Sequence, residues 1–386
     1  SPNGHLAVVL NSLPNGSMAQ ETVAAEISLI NLQQNRSIKN IKLINGSTAL
    51  MDVCFSPDGR FIYLTHILAR YQLPTTQLER GWMNTNALSI IDVENQKLHA
   101  TVLLDEVDHG AANPRDVVCS PDGQFLCVSH SGTHDVSIID LPALIEKCDS
   151  DSDFENRLDV LNDCRVRIKT SGLGPHGLAV SHEKLFVANY YSDSIDIIDF
   201  ESKKLVSTIQ PHTPTLAQHE FGDYLFHNAT TCFQEWQSCA SCHPDVRADG
   251  FNWDLMNDYM ANPKNGKSLL HAHATPPMNW TGIRENAEAS VRAGMLHIQF
   301  SIVEEREAEA MDVYLQSLDP VPSPYLFDGQ LSSSAQRGKI LFESEAVGCV
   351  SCHPAPYYTD LFRHDVGTHA PLDSTLDQYG NVVPQL

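Results

Sequence analysis

The sequence predicts a multidomain chain, with an all-β N-terminal half built from a repeated unit and a mainly α C-terminal half. Three observations predict it. A strand–turn–strand unit recurs in order through residues 1 to about 210. Helical periodicity replaces it after Pro211, Pro214 and Thr215. A block pairing a helical segment with two cysteines and a histidine occurs twice beyond that point. The 386 residues accommodate two or three domains, and 42% hydrophobic with 19% charged residues suffices for packed cores.

The repeated unit is an apolar strand, a Ser-Pro-Asp-Gly turn, a second strand, a loop, and a third strand ending in Ile-Ile-Asp. One copy runs from Val53 through Ser56-Pro57-Asp58-Gly59 to Ile90-Ile91-Asp92, and the next from Val117 through Ser120-Pro121-Asp122-Gly123 to Ile138-Ile139-Asp140. A third runs from Gly177 to Ile197-Ile198-Asp199, and a partial copy begins at Pro2-Asn3-Gly4 and includes Ile27-Ser28-Leu29-Ile30-Asn31. Pro and Gly at these turn positions favour a tight reversal, and alternating β-branched residues suit stacked sheets. Short four-stranded sheets arranged about an axis protect their own edges, which predicts propeller blades. The recurring signatures resemble the YVTN-type β-propeller family. About four blades are legible, and the opening at Ser1-Pro2-Asn3-Gly4 reads as the inside of a repeat. Either the propeller is a small one, or further blades lie outside the sequence, or another segment completes the ring; a leader peptide is expected to have been removed or to lie outside the sequence. One insertion, Thr65 to Thr85, is long and rich in aromatic and polar residues, and is expected at a domain interface.

The second half predicts helices at Ala217 to Asn228 and Glu304 to Leu318; in the latter, Ala308, Met311, Leu315 and Leu318 share a face. Its duplicated block pairs Gly222-Asp223-Tyr224-Leu225-Phe226 with Cys239-Ala240-Ser241-Cys242-His243-Pro244, and Gly338-Lys339-Ile340-Leu341-Phe342 with Cys349-Val350-Ser351-Cys352-His353-Pro354. CxxCH is the attachment signature of c-type haem. Two thiols one helical turn apart form thioethers to the vinyl groups, and the adjacent His reaches the iron. A lone CxxC also suits a redox dithiol or half a zinc site, but the matched duplication favours two covalent haems. Such haems are attached outside the cytoplasm, so a periplasmic or otherwise exported location follows. The full expectation is an all-β propeller-like half (1–210) followed by a mainly α di-haem cytochrome c half, comprising a first haem unit (211–324) and a truncated second one (325–386).

Residues 215–370 resemble the bacterial di-haem cytochrome c peroxidase superfamily, including its MauG-type branch. Asn262-Pro263-Lys264-Asn265 followed by Trp280-Thr281-Gly282 matches that family's Pro-Arg-Asn and Trp-Asp-Gly pair, and Asp365-Val366-Gly367-Thr368 its run after the second motif. The resemblance implies an electron-relaying role for Trp280 between the haems and a calcium-holding role for Asn265. Two departures stand out. The stretch Trp253 to Met260 lacks the family's distal His, and the sequence ends at Leu386 before a closing helix. The first iron is then five-coordinate, or takes a Met, or takes a later histidine. His297, within Met295-Leu296-His297-Ile298, is the first candidate for a distal catalytic role, and His273 the second, as an axial ligand; His271, Met278 and Met295 are weaker. Arg247 is a candidate partner for a haem propionate.

The net charge of −23 disfavours nucleic acid and anionic lipid, and suits a basic redox partner protein or plain solubility. No apolar run reaches the ~20 residues that span a bilayer. Of the remaining cysteines, Cys148 and Cys164 flank a polar segment and are candidates for a disulfide, Cys54, Cys119 and Cys127 read as buried thiols, and Cys232 reads as structural. The expected function is a peroxidase- or MauG-like oxidoreductase acting on peroxide or on a small-molecule or protein substrate. The alternative is a di-haem electron carrier with a propeller docking module.

Overall fold

A computed structural model describes residues 1–17, 20–73, 82–150, 154–212, 214–255, 263–280, 282–362, 364, 367, 374–376 and 382–384. Residues 256–260, 262, 281, 365, 366 and 368, on which some of the expectations above fall, lie outside the described residues.

The first half is a propeller-like stack of four antiparallel sheets. The first comprises β1 (Leu6–Asn11), β2 (Glu26–Asn31) and β3 (Arg36–Lys42). The second comprises β4 (Ser47–Thr48), β5 (Val53–Phe55), β6 (Phe61–Ala69), β7 (Asn84–Asp92) and β8 (Lys97–Leu103). The third holds β9 (Pro114–Cys119), β10 (Phe125–His130), β11 (Asp135–Asp140) and, after helix α1 (Leu141–Ser150), β12 (Arg165–Lys169). The fourth holds β13 (Pro175–Val180), β14 (Lys184–Asn189), β15 (Ser194–Asp199) and β16 (Lys204–Ile209).

The turn residues act as the repeat predicts. Ser56 Oγ donates to Asp58 Oδ1 (2.6 Å) and accepts from Phe61 N (2.9 Å). Ser120 and Asp122 repeat this at 2.6 Å, and Phe125 N donates to Ser120 Oγ at 2.9 Å. Gly59 and Gly123 close both turns with φ of +74° and +72°. The terminal aspartates then fix the next turn: Asp92, Asp140 and Asp199 accept from the backbone N–H of Asn95, Ala143 and Ser202.

Strand alternation joins the sheets. Along β6, Ile62 and Leu64 enter the core shared with the first sheet, while Phe61 and Tyr63 enter the core shared with the third. Along β10, Leu126 and Val128 face the second sheet and Cys127 faces the fourth. Each strand thus serves two cores, as the period of two requires. Each buried large aliphatic contributes about 1.5–3 kcal/mol.

Four corrections to the sequence reading arise here. The Thr65 to Thr85 insertion is not wholly loop: β6 and β7 extend into its two ends, through Ala69 and from Asn84, and residues 74–81 lie outside the described residues. Cys148 and Cys164 are free rather than bridged: both sit in the apolar core around Leu144, Phe154 and Leu161. Cys54 and Cys119 are half-buried, and only Cys127 is fully buried. The second half is not mainly α. Its helices are α2 (Gln218–His227), the single turn α3 (Cys239–Cys242), α4 (Ala287–His297), α5 (Glu305–Gln316) and α6 (Ser333–Glu343). Irregular chain and the small hairpins β17 (Asn252–Trp253) with β18 (Lys264–Asn265), and β19 (Ser374–Leu376) with β20 (Val382–Pro384), separate them. Among the described residues of the intervening chain, Pro244, Pro263, Pro276 and Pro277 disfavour helix.

Helices α2 and α5 form the core of this half with Leu225, Phe226, Ala308, Met311 and Leu315. They cross at Gly222, where an added Cβ would lie 2.0 Å from the Ala310 carbonyl oxygen. Gly338, the matching residue in α6, has open space around it. No helix among the described residues is long and apolar enough to cross a membrane.

Candidate functional site

The first Cys-x-x-Cys-His segment is laid directly on the propeller. Ser238 caps α3 by accepting from Ala240 N (3.2 Å), and Ser241 Oγ accepts from Ser238 N (3.1 Å). That single turn sets Cys239 and Cys242 one above the other and ends at His243. Asn113, from the loop before β9, holds the turn: its Nδ2 donates to Ser238 Oγ (2.9 Å) and to the His227 carbonyl (2.8 Å), and its Oδ1 accepts from Ser241 Oγ (2.9 Å). From β7, Asn84 Nδ2 donates to Gln237 Oε1 (3.1 Å) and to Cys242 Sγ (3.2 Å), and Asn86 Nδ2 to the Trp236 carbonyl (3.1 Å). From β4, Thr48 Oγ1 donates to the Asp249 carbonyl (2.8 Å). Gln299 Nε2 reaches Cys239 Sγ at 3.5 Å. Both ends of the insertion lie at this interface: Tyr71 stacks on Phe251 at 4.5 Å, and Trp82 meets Trp236.

Burial governs the electrostatics here. It pushes the Cys239 thiol up to about 12 and the Cys242 thiol higher, and lowers His243. His243 is therefore a neutral imidazole. Its Nδ1 lies 2.7 Å from the Arg247 carbonyl, which can only accept, so Nδ1 carries the proton and Nε2 presents a lone pair. Asp249, buried beside this segment, accepts from Trp253 Nε1 (2.7 Å) and from Phe251 N (3.0 Å); burial raises its carboxyl to about 6.

The second segment repeats the geometry in a different medium. A 3-10 turn at Cys349–Ser351 follows Gly348, and His353 Nδ1 lies 2.9 Å from the Tyr358 carbonyl. The same tautomer follows. His353 lines an open cleft of about 610 Å³ with Leu331, Ala335, Gly338, Lys339, Phe342 and Tyr358. Along α6, Ile340 and Leu341 stand 68% and 60% exposed, against 9% for Leu225 of α2. Cys352, Asp360 and His364 can bring three ligand atoms within reach of one metal ion, and His364 Nε2 already meets Asp360 Oδ2 at 2.7 Å.

The other candidates separate. His273 is 8% exposed; its Nε2 donates to Asp312 Oδ1 (3.0 Å), and Arg292 Nη1 donates to Asp312 Oδ2 (2.7 Å). Its Nδ1 is buried and has no hydrogen-bond partner. The apolar setting expected of His297 is absent. On α4, Met295 points inward, while Leu296 and His297, one and two residues on, are exposed. Trp280 is 53% exposed, donates from Nε1 to the Asn265 carbonyl (2.8 Å) and carries Lys267 Nζ 3.3 Å above its ring. The matched pair Asn265 and Trp280 thus do meet, but at the surface. Asn265 Nδ2 donates to the Phe251 carbonyl (3.3 Å), and the one three-residue metal-ligand group among the described residues does not adjoin it. His271 and Arg247 are exposed.

Sequence reasoning missed Asn84, Asn113, Asp249 and Asp312. Only Asp312 left a signal: it is a lone acid on the face of α5 shared by Ala308, Met311 and Leu315.

Comparison with known proteins gives a family match over residues 1–143, to lactonase, 7-bladed β-propeller. Hydrazine synthase subunit beta of Kuenenia stuttgartiensis is 28% identical over 184 residues, 46% of this chain and 47% of that one. Subunit gamma of the same organism is 29% identical over 168 residues, 38% of this chain and 47% of that one. The chain spans about half the length of these curated relatives. Among solved structures, Kuenenia stuttgartiensis hydrazine synthase aligns with TM-score 0.46 and 27% identity over 52% of this chain and 56% of that one. The periplasmic gluconolactonase PpgL of Pseudomonas aeruginosa aligns with TM-score 0.38 and 16% identity over 56% and 57%.

Proposed function

We propose that this chain is an exported di-haem c-type cytochrome oxidoreductase of peroxidase or MauG type, with its first haem held against a β-propeller. One observation carries the reading. In both Cys-x-x-Cys-His segments the histidine gives its Nδ1 proton to a downstream backbone carbonyl, which leaves Nε2 as a ligand. A redox dithiol has no use for that arrangement twice over. The unpartnered Nδ1 of His273 and the apolar cleft beside His353 are the features that a bound porphyrin and its ligands would satisfy.

Covalent haem supplies one-electron chemistry and a metal site open to peroxide or another small substrate. The chain's own residues do the rest. Cys239, Cys242, Cys349 and Cys352 would hold the two haems through thioethers, and His243 and His353 would offer Nε2 to the irons. Arg247 and Tyr358 carbonyls fix both imidazole planes. His273, held through Nε2 by Asp312 and Arg292, keeps Nδ1 for a proton or for the first iron. On this reading residues 1–210 form the propeller, 211–324 the first haem unit and 325–386 the second. Both curated relatives are subunits of one named enzyme, which supports a place in a multi-subunit assembly with a redox partner protein.

The test is optical. Purified protein should show Soret absorbance that halves in a Cys239→Ala/Cys242→Ala variant and halves equally in Cys349→Ala/Cys352→Ala. No Soret band, or zinc bound by those sulfurs and by the Cys352, Asp360 and His364 group, ends the reading. High-spin ferric signal with peroxide turnover supports the enzyme. Two low-spin haems inert to peroxide replace it with an electron carrier whose propeller is a docking module.

A further inference from the structure

The propeller's sheets are joined by side-chain packing and by a few hydrogen bonds from side chain to backbone. Asp52 Oδ2 accepts from Val117 N at 3.1 Å, linking the chain just before β5 to β9 of the next sheet. Two residues beyond Asp52, Cys54 Sγ lies 3.8 Å from Cys119 Sγ. Both thiols pack against the apolar core shared by the second and third sheets. They sit on neighbouring strands of different blades, so a bond between them would cross the blade boundary.

We propose that Cys54 and Cys119 form an inter-blade disulfide, closing a loop that contains β6, β7 and β8 of the second sheet. The closure is a thiol–disulfide exchange with a disulfide-bearing oxidant. One thiolate attacks the oxidant's S–S bond to give a mixed disulfide. The second thiolate attacks the linked sulfur and forms the Cys54–Cys119 bond, while the oxidant leaves as a dithiol. Two protons and two electrons pass from the pair to the oxidant. The present separation exceeds an S–S bond of ~2.05 Å, so closure needs a small approach of the two strands or a χ1 change. Metal binding is the rival use of paired thiols. No group of three ligand-bearing side chains at this place lies close enough to share an ion among the described residues.

The surroundings also date the reaction. The hydrogen bond from Cys119, burial and the nearby Asp52 and Asp116 all raise the Cys54 thiol well above its ordinary value. Folded and reduced, Cys54 therefore yields little thiolate, and its exchange belongs to the period before the two sheets close. Once formed, the bond is shielded by the same burial.

The inference rests on the exported location that the haem reading implies, and its readout does not involve haem. Protein produced in an oxidising compartment is denatured without reductant, alkylated with iodoacetamide, digested and analysed by mass spectrometry. The expected result is a linked peptide pair joining Cys54 to Cys119, with Cys127 alkylated, and release of the pair by reductant. Cys54 and Cys119 both alkylated before reduction overturns the proposal, as does either linked to another cysteine. A second measurement uses Cys54→Ala and Cys119→Ala. Each single variant and the double variant should lower Tm by the same amount, and reductant should no longer lower it further. Three additive losses would instead mark two independent packing residues.

Discussion

Gly222 and Gly338 occupy the same place in a duplicated block, yet the structure assigns opposite signs to one substitution. In Gly222→Ala the new methyl meets the backbone of α5, 2.0 Å from the Ala310 carbonyl oxygen and 2.7 Å from Tyr314 Cβ. Backbone cannot swing aside, so α2 and α5 must separate. Overpacking of this kind costs roughly 1–3 kcal/mol, against about 1 kcal/mol returned by helix propensity. A net loss of up to about 2 kcal/mol follows. In Gly338→Ala the methyl enters open space, and only the propensity gain of about 1 kcal/mol remains. Hydrogen exchange followed by mass spectrometry reads each helix locally, which a global melt of a multidomain chain does not. Amides of α2 should exchange about tenfold faster in Gly222→Ala, and those of α6 several-fold slower in Gly338→Ala. Faster exchange of α6 in Gly338→Ala would refute the reasoning, because it would mean that another surface is packed on that glycine.

Three further outcomes are expected. Asn113→Ala removes two hydrogen bonds to the first cysteine segment and one to the His227 carbonyl at the end of α2, and places Ala at a φ of +54°. The expected cost is about 3–4 kcal/mol, read as a lowered Tm and as protease cleavage near Ser238. Asp135 is buried. Desolvation alone would raise its carboxyl, but His109, His130 and Arg167 outweigh it and hold the group at about 2. A depressed carboxylate stabilises the fold above its unfolded value and ceases to do so as pH falls through about 2. About 2 kcal/mol should vanish between pH 4 and 2, and Asp135→Asn should flatten that limb of an acid titration. Finally, His273→Ala should alter the spectrum of the first haem while His297→Ala leaves it unchanged; the reverse would return His297 to the site.

How much of this was legible beforehand follows from the range of each interaction. The Ser-Pro-Asp-Gly turns are local: hydroxyl, carboxylate and the donating N–H lie within five residues of one another, so spacing alone exposed them. The Cys-x-x-Cys-His turn is local for the same reason. His297 misled because apolar neighbours in sequence are not neighbours in space on a helix. Met295 faces the core there, and the next two residues face water. Asn113 was invisible because its partners Ser238 and Ser241 are more than a hundred residues away and nothing in either stretch announces the other. The helical content of the second half was overread because two correctly placed helices, α2 and α5, were taken to represent chain that its prolines keep irregular.

The two copies of the cysteine block differ most in what surrounds them. One is wedged among asparagines and a threonine from three parts of the propeller, and the other rests on little but its own helix. A chymotrypsin time course should therefore cut first at the exposed Tyr325 or Phe327 in the stretch between α5 and α6, shedding the tail while the remainder stays whole. Salt and mild denaturant should act in the same order. A duplicated unit has become, within one polypeptide, a robust member and a fragile one.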